Sequence, residues 1–265
     1  MSEPATSPVL VFDAGNTSTT VGLYFPLVRQ ILGKTAIRGG IATHRDACAE
    51  AVRTALRAAR AEKPVRAMMA SVTPALNDDW RALVHEEASL DLEFVRHDMR
   101  LPFQFGYAHS ETTGADRIAN VAAAVIKYGS PSLIVDIGTA VTYDIVSVVN
   151  SFFTGAIGPG PDIIARSLHD YTALLPLIEW WKKDTPSQPK DTEGAMLYGI
   201  DAGFSGMVRE TVTRLLPQVG LRAKLVATGG FAQRFLEPLG MNFIIDPDLT
   251  LCGVGLLSLY QDSPS

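Results

Sequence analysis

Cysteine is scarce in this chain: Cys48 and Cys252 stand far apart in 265 residues, with no Cys-x-x-Cys spacing and no adjacent histidine. That pattern argues against a zinc site and a disulfide framework, and leaves both thiols as small apolar packing residues. Long apolar runs are missing as well. No stretch approaches the roughly 20 residues of a membrane span, and no basic segment leads into a long apolar one at the N-terminus. The expectation is a cytoplasmic protein with no membrane partner. Basic residues are outnumbered, 23 Lys and Arg against 28 Asp and Glu, for a net charge of −5. This excludes a general attraction to nucleic acid, so any polyanionic ligand must be bound locally. Charge is modest at 19% and hydrophobic content is 47%, the balance of a folded chain. The length suits two domains of roughly 120 to 140 residues.

One short phrase occurs twice, as Leu10-Val11-Phe12-Asp13-Ala14-Gly15-Asn16-Thr17 and as Leu133-Ile134-Val135-Asp136-Ile137-Gly138-Thr139-Ala140. Each copy reads as a buried strand ended by Asp and by a Gly that permits a tight turn. The runs Thr19 to Tyr24 and Val141 to Val146 then supply an antiparallel return. A single copy is ordinary hairpin punctuation. Two copies imply a duplicated domain around one shared site. Such turns present backbone N–H groups and small hydroxyl donors to phosphate, while the Asp carboxylate can hold hydrated Mg²⁺ or cap the turn. Asn16, Thr17, Ser18, Thr19 and Thr20 form a dense run of small donors that a structural hairpin does not require.

Elsewhere the pattern alternates. A helix is expected over about Arg45 to Ala61, a strand over Arg66 to Ser71, and a helix opened by Thr73-Pro74 with the hydroxyl as cap. Its apolar stripe is Leu76, Trp80, Leu83 and Val84. A strand follows at Leu92 to Arg96, then an irregular segment over Asp98 to Thr113. Helical spacing over Ile118 to Lys127 places a domain boundary at 114/115, giving domains 1–114 and 115–265. Further strands are expected near Phe152 to Ile157, Lys224 to Thr228 and Phe243 to Asp246. Helices are expected near Asp162 to His169, Glu193 to Leu216 and Leu249 to Tyr260. The class is α/β with mixed sheets.

Together these pieces resemble the kinase, actin and Hsp70-like ATPase superfamily, whose two ribonuclease-H-like domains each contribute an Asp-Gly phosphate hairpin. The ordered motifs Asp13-x-Gly-Asn-Thr, Ala70-Ser-Val-Thr-Pro, Gly114-Ala-Asp-Arg, Asp136-x-Gly-Thr-Ala, Thr228-Gly-Gly and Pro247-Asp-Leu-Thr-Leu resemble, nearly end to end, type III pantothenate kinase. The resemblance implies ATP-dependent phosphorylation of pantothenate, the first step toward coenzyme A. It places the ATP phosphates on Asp13, Ala14, Gly15, Asn16, Thr17, Ser18, Thr19 and Thr20, with Thr139 contacting them from the second domain. Asp116 is the implied general base, accepting the proton of a primary hydroxyl. From spacing alone Asp116 is equally a helix cap, and Arg117 equally a surface residue or an anion ligand. The implied substrate residues are Tyr107, Gly114, Ala115, Asp116, Arg117 and, across a homodimer interface, Thr192. Tyr107 also reads as a buried aromatic, and Thr192 as a helix N-cap. Asp136 is implied in binding K⁺ or ammonium. Rival readings are a kinase for another small alcohol, such as a sugar, and a non-catalytic ATP-binding regulator.

The chain departs from the family pattern at Ser110 to Thr113, where Asn-Pro is common, at Ala156, where Gly is usual, and at Asp191, where Asn is common. Trp180 and Trp181, beside Lys182 and Lys183, fit no ligand spacing and read as a partly exposed surface or interface feature.

Overall fold

The computed structural model describes residues 6–59, 62–220 and 222–262. In chain order it comprises β1 (Val9–Ala14), β2 (Ser18–Phe25), β3 (Gln30–Arg38), α1 (Ile41–Ala58), β4 (Arg66–Ser71), α2 (Asn77–Ala88), β5 (Leu92–Phe94), β6 (Gln104–Phe105), α3 (Ala115–Tyr128), β7 (Ser132–Ile137), β8 (Ala140–Val146), β9 (Ser151–Pro159), α4 (Pro161–Asp170), α5 (Thr192–Val219), β10 (Lys224–Thr228), α6 (Ala232–Leu236), β11 (Phe243–Ile245) and α7 (Leu249–Tyr260). Arg60 and Ala61, the end of the helix expected from Arg45, lie outside the described residues. Contacts group the chain into one unit of residues 1–130, 148–152 and 248–265 and another of 131–147 and 153–247.

The first unit is built on a sheet of order β3-β2-β1-β4-β5. β1 pairs antiparallel with β2 and parallel with β4. One sheet face, including Leu10, Phe12, Val21, Leu23 and Met69, buries against Cys48, Val52 and Ala55 of α1 and against Trp80, Leu83 and Val84 of α2. Against β1, β2 and β4 also lies α7, and α3 packs on α7. A cut at 114/115 keeps α3 and α7 together but parts both from the first sheet, on which α7 lies, whereas contacts group both helices with that sheet. α7 has only apolar or small residues from Leu249 to Ser258, the composition of a helix buried all round. Glycine lets it approach closely: a Cβ at Gly253 would overlap the Ala119 carbonyl, and one at Gly255 would overlap the Tyr24 ring.

The second sheet has the order β11-β10-β7-β8-β9-β6. Its central strands repeat the first sheet, since β7 pairs antiparallel with β8 and parallel with β10. β6 is appended to the first two residues of β9, and all four of those residues belong to the first unit. In the second unit Leu133, Val135, Ile137, Val141, Tyr143 and Ile145 face Ile200, Phe204, Val208 and Val212, which recur every four residues along α5. The expected α/β class with two duplicated, mixed sheets is therefore observed.

Several local expectations need correction. Residues 30–38 form β3, an edge strand whose alternating half-buried and exposed residues do not stand out in the sequence. Thr73 sits at the cap position of a short 3₁₀ turn, Pro74–Leu76, but makes no side-chain capping bond. Trp180 is fully buried: its Nε1 donates to Asp162 Oδ1 at 2.6 Å and its ring packs on Phe231 and Phe235. Trp181 is partly buried against the same apolar cluster. The Ala156 methyl packs on that cluster too.

Gly253→Ala tests the α3–α7 contact. Because the obstructing atom is backbone carbonyl, the variant should lose about 1–3 kcal/mol of unfolding free energy. An unchanged urea midpoint at an unchanged slope would show that the helices separate without penalty.

Candidate functional site

The strands that carry the repeated phrase have the same burial pattern. In each, the Asp is the one partly buried residue of an otherwise buried six-residue strand. Asp13 pairs with Thr20 on β2 and with Ala70 on β4; Asp136 pairs with Thr142 on β8 and with Thr228 on β10. Gly15 N donates to Ser18 O at 2.9 Å and closes the first turn, leaving Asn16, Thr17 and Ser18 exposed at its tip and Thr19 buried beneath. Small donors at the end of a rigid strand suit an anionic phosphate. Among the described residues no group of three or more His, Cys, Asp or Glu could hold a metal. Asp13, at the end of β1, is a carboxylate of the kind that can hold a hydrated Mg²⁺.

The second turn is closed by Gly138 N donating to Ala140 O at 3.0 Å. Two glycines wrap it. A Cβ at Gly160 would overlap the Gly138 and Thr139 carbonyls, and one at Gly229, whose φ is +94°, would lie 2.5 Å from Asp136 Oδ1. Packing and backbone thus account for Gly229, whereas Gly230 borders open space and is the member of Thr228-Gly-Gly that leaves room for a ligand. Thr142 Oγ1, on the strand position opposite Asp136, is buried with no hydrogen-bond partner. An unpartnered oxygen across from a carboxylate is a donor set that fits a hard monovalent cation.

α3 presents the Gly114-Ala115-Asp116-Arg117 motif at its N-terminus. Gly114 occupies the cap position and Asp116 lies within the first turn, so Asp116 is not the N-cap. Asp116 Oδ1 accepts the Arg117 backbone N–H at 2.8 Å. A Cβ at Gly114 would stand 2.5 Å from that oxygen, so glycine gives the carboxylate its place. Burial pushes the Asp116 carboxyl above the ordinary aspartate range, and the Arg117 amide and guanidinium only partly offset it. Arg117 is buried, not a surface residue, and its guanidinium stands over the Phe152 ring. Tyr107 shares a short hydrogen bond with Thr113 Oγ1, so the departure at Ser110 to Thr113 supplies a partner for the tyrosine.

Val72, part of the Ala70-Ser-Val-Thr-Pro motif, connects two of these pieces within the first unit. Its N–H donates to Ala14 O at 3.1 Å, and its Cγ1 lies 3.7 Å from where a Gly114 Cβ would be. The first turn and the Asp116 loop are therefore neighbours. In the second unit, the cap of α5 is Asp191, whose Oδ1 accepts from Gly194 N at 2.7 Å, and Thr192 is the exposed first helical residue. The negative charge of Asp191 is thus engaged by a helix N-terminus.

The family model for type III pantothenate kinase matches residues 9–214. The chain belongs to that family. It is 32% identical over 254 residues to a type III pantothenate kinase of Endomicrobium trichonymphae, covering 94% of this chain and 97% of that one. Two solved structures share the fold at low identity. Ethanolamine utilization protein EutJ from Carboxydothermus hydrogenoformans gives a TM-score of 0.59 at 14% identity, covering 97% of this chain and 91% of its own. A ROK family glucokinase from Streptomyces griseus gives 0.53 at 10%, covering 94% and 97%. The fold is thus one shared with a sugar kinase, and the family is one of enzymes.

Raising an aspartate pKa in the folded state means that the native protein binds that proton more tightly than the unfolded chain. The contribution to stability is present at low pH and is lost as pH rises from the unfolded value through the raised one. Asp116→Asn removes this penalty, so at neutral pH its melting temperature should equal or exceed that of wild type. A clear drop would mean that the ionised carboxylate is held by compensating partners.

Proposed function

We propose that the protein transfers the γ-phosphoryl group of ATP to the terminal hydroxyl of pantothenate, with Asp116 as general base. Family membership supplies the reaction, and one observation carries the assignment of the base: a partly buried carboxylate with a raised pKa, next to a phosphate-type turn in the same unit. A base of raised pKa takes a hydroxyl proton more readily than an ordinary aspartate does.

In this reading the turn of Asp13, Ala14, Gly15, Asn16, Thr17, Ser18, Thr19 and Thr20 holds the nucleotide phosphates, and Thr139 adds a hydroxyl donor. Asp116 accepts the hydroxyl proton as the new oxygen–phosphorus bond forms and the bond to the ADP oxygen breaks. Arg117 receives the pantothenate carboxylate or the transferred group, and Tyr107, Gly114, Ala115 and, from a second copy of the chain, Thr192 complete the acceptor site. Asp13 would hold Mg²⁺, and Asp136 with Thr142 would hold K⁺ or ammonium. Such cations neutralise phosphate charge when bound.

The reading includes a homodimer. Gly199, Gly203 and Gly206 on α5 border open space, and Tyr171, Leu174 and Tyr198 of the same unit are exposed apolar side chains. Small residues permit close approach of a second copy. Sedimentation should read twice the chain mass, and a monomer at micromolar concentration would remove this part. No described helix is long and apolar enough to cross a membrane, and we place the activity in the cytoplasm.

Purified protein with ATP, Mg²⁺ and K⁺ should yield phosphorylated pantothenate, identified by mass. Asp116→Asn should lower kcat by about 10²–10⁴-fold while retaining ATP binding. Activity needs the ionised base, so the acidic limb of kcat/KM should lie above the ordinary aspartate pKa. Turnover that survives the substitution would reject Asp116 as base. Absence of pantothenate turnover with intact ATP binding would reject the substrate, and would favour another small alcohol or a regulatory role.

A further inference from the structure

Phe152 opens β9 and carries no assigned role, yet it is a hub of the acceptor side. Its ring is fully buried, and four groups of the first unit converge on it. Phe103 meets it edge-on at 5.6 Å, Phe105 lies at 5.6 Å and Tyr107 meets it edge-on at 5.7 Å. The Arg117 guanidinium stands 5.7 Å from its centroid. Residues 103, 105 and 107 alternate along the chain, which directs their side chains to one face of an extended segment. Backbone bonds fix the ring: Gln104 N donates to Asn150 O at 3.0 Å and Gly106 N to Phe152 O at 2.9 Å.

We propose that Phe152 is a positioning residue for the acceptor substrate, acting through Arg117 and Tyr107. The negative face of an aromatic ring attracts a guanidinium, and edge-to-face contact fixes the tilt of a neighbouring ring. One side chain therefore orients both a cation suited to the acceptor carboxylate and the tyrosine wall beside it. Tyr107 is held at its other end by Thr113, on the loop that leads to Gly114 and Asp116. A ring that only filled core space would affect nucleotide and acceptor equally. The Phe152 ring meets two residues assigned to the acceptor, Tyr107 and Arg117. The inference rests on the pantothenate reading.

Its test is steady-state kinetics on the full chain, varying pantothenate and ATP separately. Phe152→Leu keeps apolar bulk and removes the ring. It should raise the pantothenate KM about tenfold, equivalent to about 1.4 kcal/mol, while the ATP KM and kcat change by less than about threefold. Folding is checked by circular dichroism. A folded variant whose two KM values are unchanged, or rise together, overturns the proposal. If Phe152→Leu does not fold, the half-buried Tyr107 decides. Tyr107→Phe keeps the ring that meets Phe152 and Tyr107→Leu removes it, so the leucine variant should raise the pantothenate KM about tenfold above that of the phenylalanine variant. Equal effects of the two overturn the proposal. A wild-type protein that fails to phosphorylate pantothenate instead removes the underlying reading, an outcome distinct from either.

Discussion

The backbone of α7 at Gly253 lies against the carbonyl of Ala119, and the placement of the chemistry in the first unit follows from that approach. α7 rests on β1, β2 and β4, so its position is referred to the strand that ends at Asp13. α3 is alanine-rich over Ala119 to Ala124, where every residue is buried, and it packs on α7. Small side chains on both helices reduce the distance that ordinary ridges would impose. The N-terminus of α3, with Asp116 and Arg117, is thereby fixed to the same sheet as the phosphate-type turn. Val72 completes the connection, since its amide meets Ala14 while its side chain faces Gly114.

The duplicated hairpins solve one problem in two ways. Each needs a carboxylate at the end of a strand whose other residues are buried, and in each the Asp is the only position left partly accessible. The first turn achieves this with exposed donors, Asn16 to Ser18, around a Gly15 amide bonded within the turn. The second has a single hydroxyl, Thr139, at its tip and is tightened by Gly160 and Gly229 packed on its carbonyls. The second copy is therefore the more enclosed of the two. Beside it lies the buried, unpartnered Thr142 oxygen, which has no counterpart among the described residues of the first hairpin. An enclosed carboxylate suits a partly desolvated cation, whereas an open row of donors suits a phosphate chain.

Much of this was legible because branched apolar runs and glycine turns encode strands directly. Both hairpins, β10 and α7 lie where periodicity places them. β3 was not legible, because an edge strand buries only alternate positions by halves and its Gly33-Lys34 pair reads as a break. Pairwise geometry was the other hidden layer. Asp191 and Thr192 are adjacent and both are cap-competent, and only the backbone shows that Asp191 takes the Gly194 amide. The burial of Arg117 and Trp180 was equally hidden, since their partners Phe152 and Asp162 are distant in sequence. Phe152 carried no signal of its own, because an aromatic at the start of a strand is ordinary core composition.

The adjacency of Asp116 and Arg117 poses an electrostatic conflict that the fold resolves. A guanidinium aimed at the carboxylate would lower its pKa and weaken it as a base, and burial alone would raise it. Here burial is the larger effect, and the charge of Arg117 only trims it. The geometry explains why: Asp116 takes the Arg117 amide, while the guanidinium is held over the Phe152 ring. A cation on an aromatic face keeps its charge and orientation without drawing a proton from the neighbouring acid. In the proposed reading, two adjacent residues thus keep separate tasks, Asp116 as a carboxylate base and Arg117 as an anion receptor.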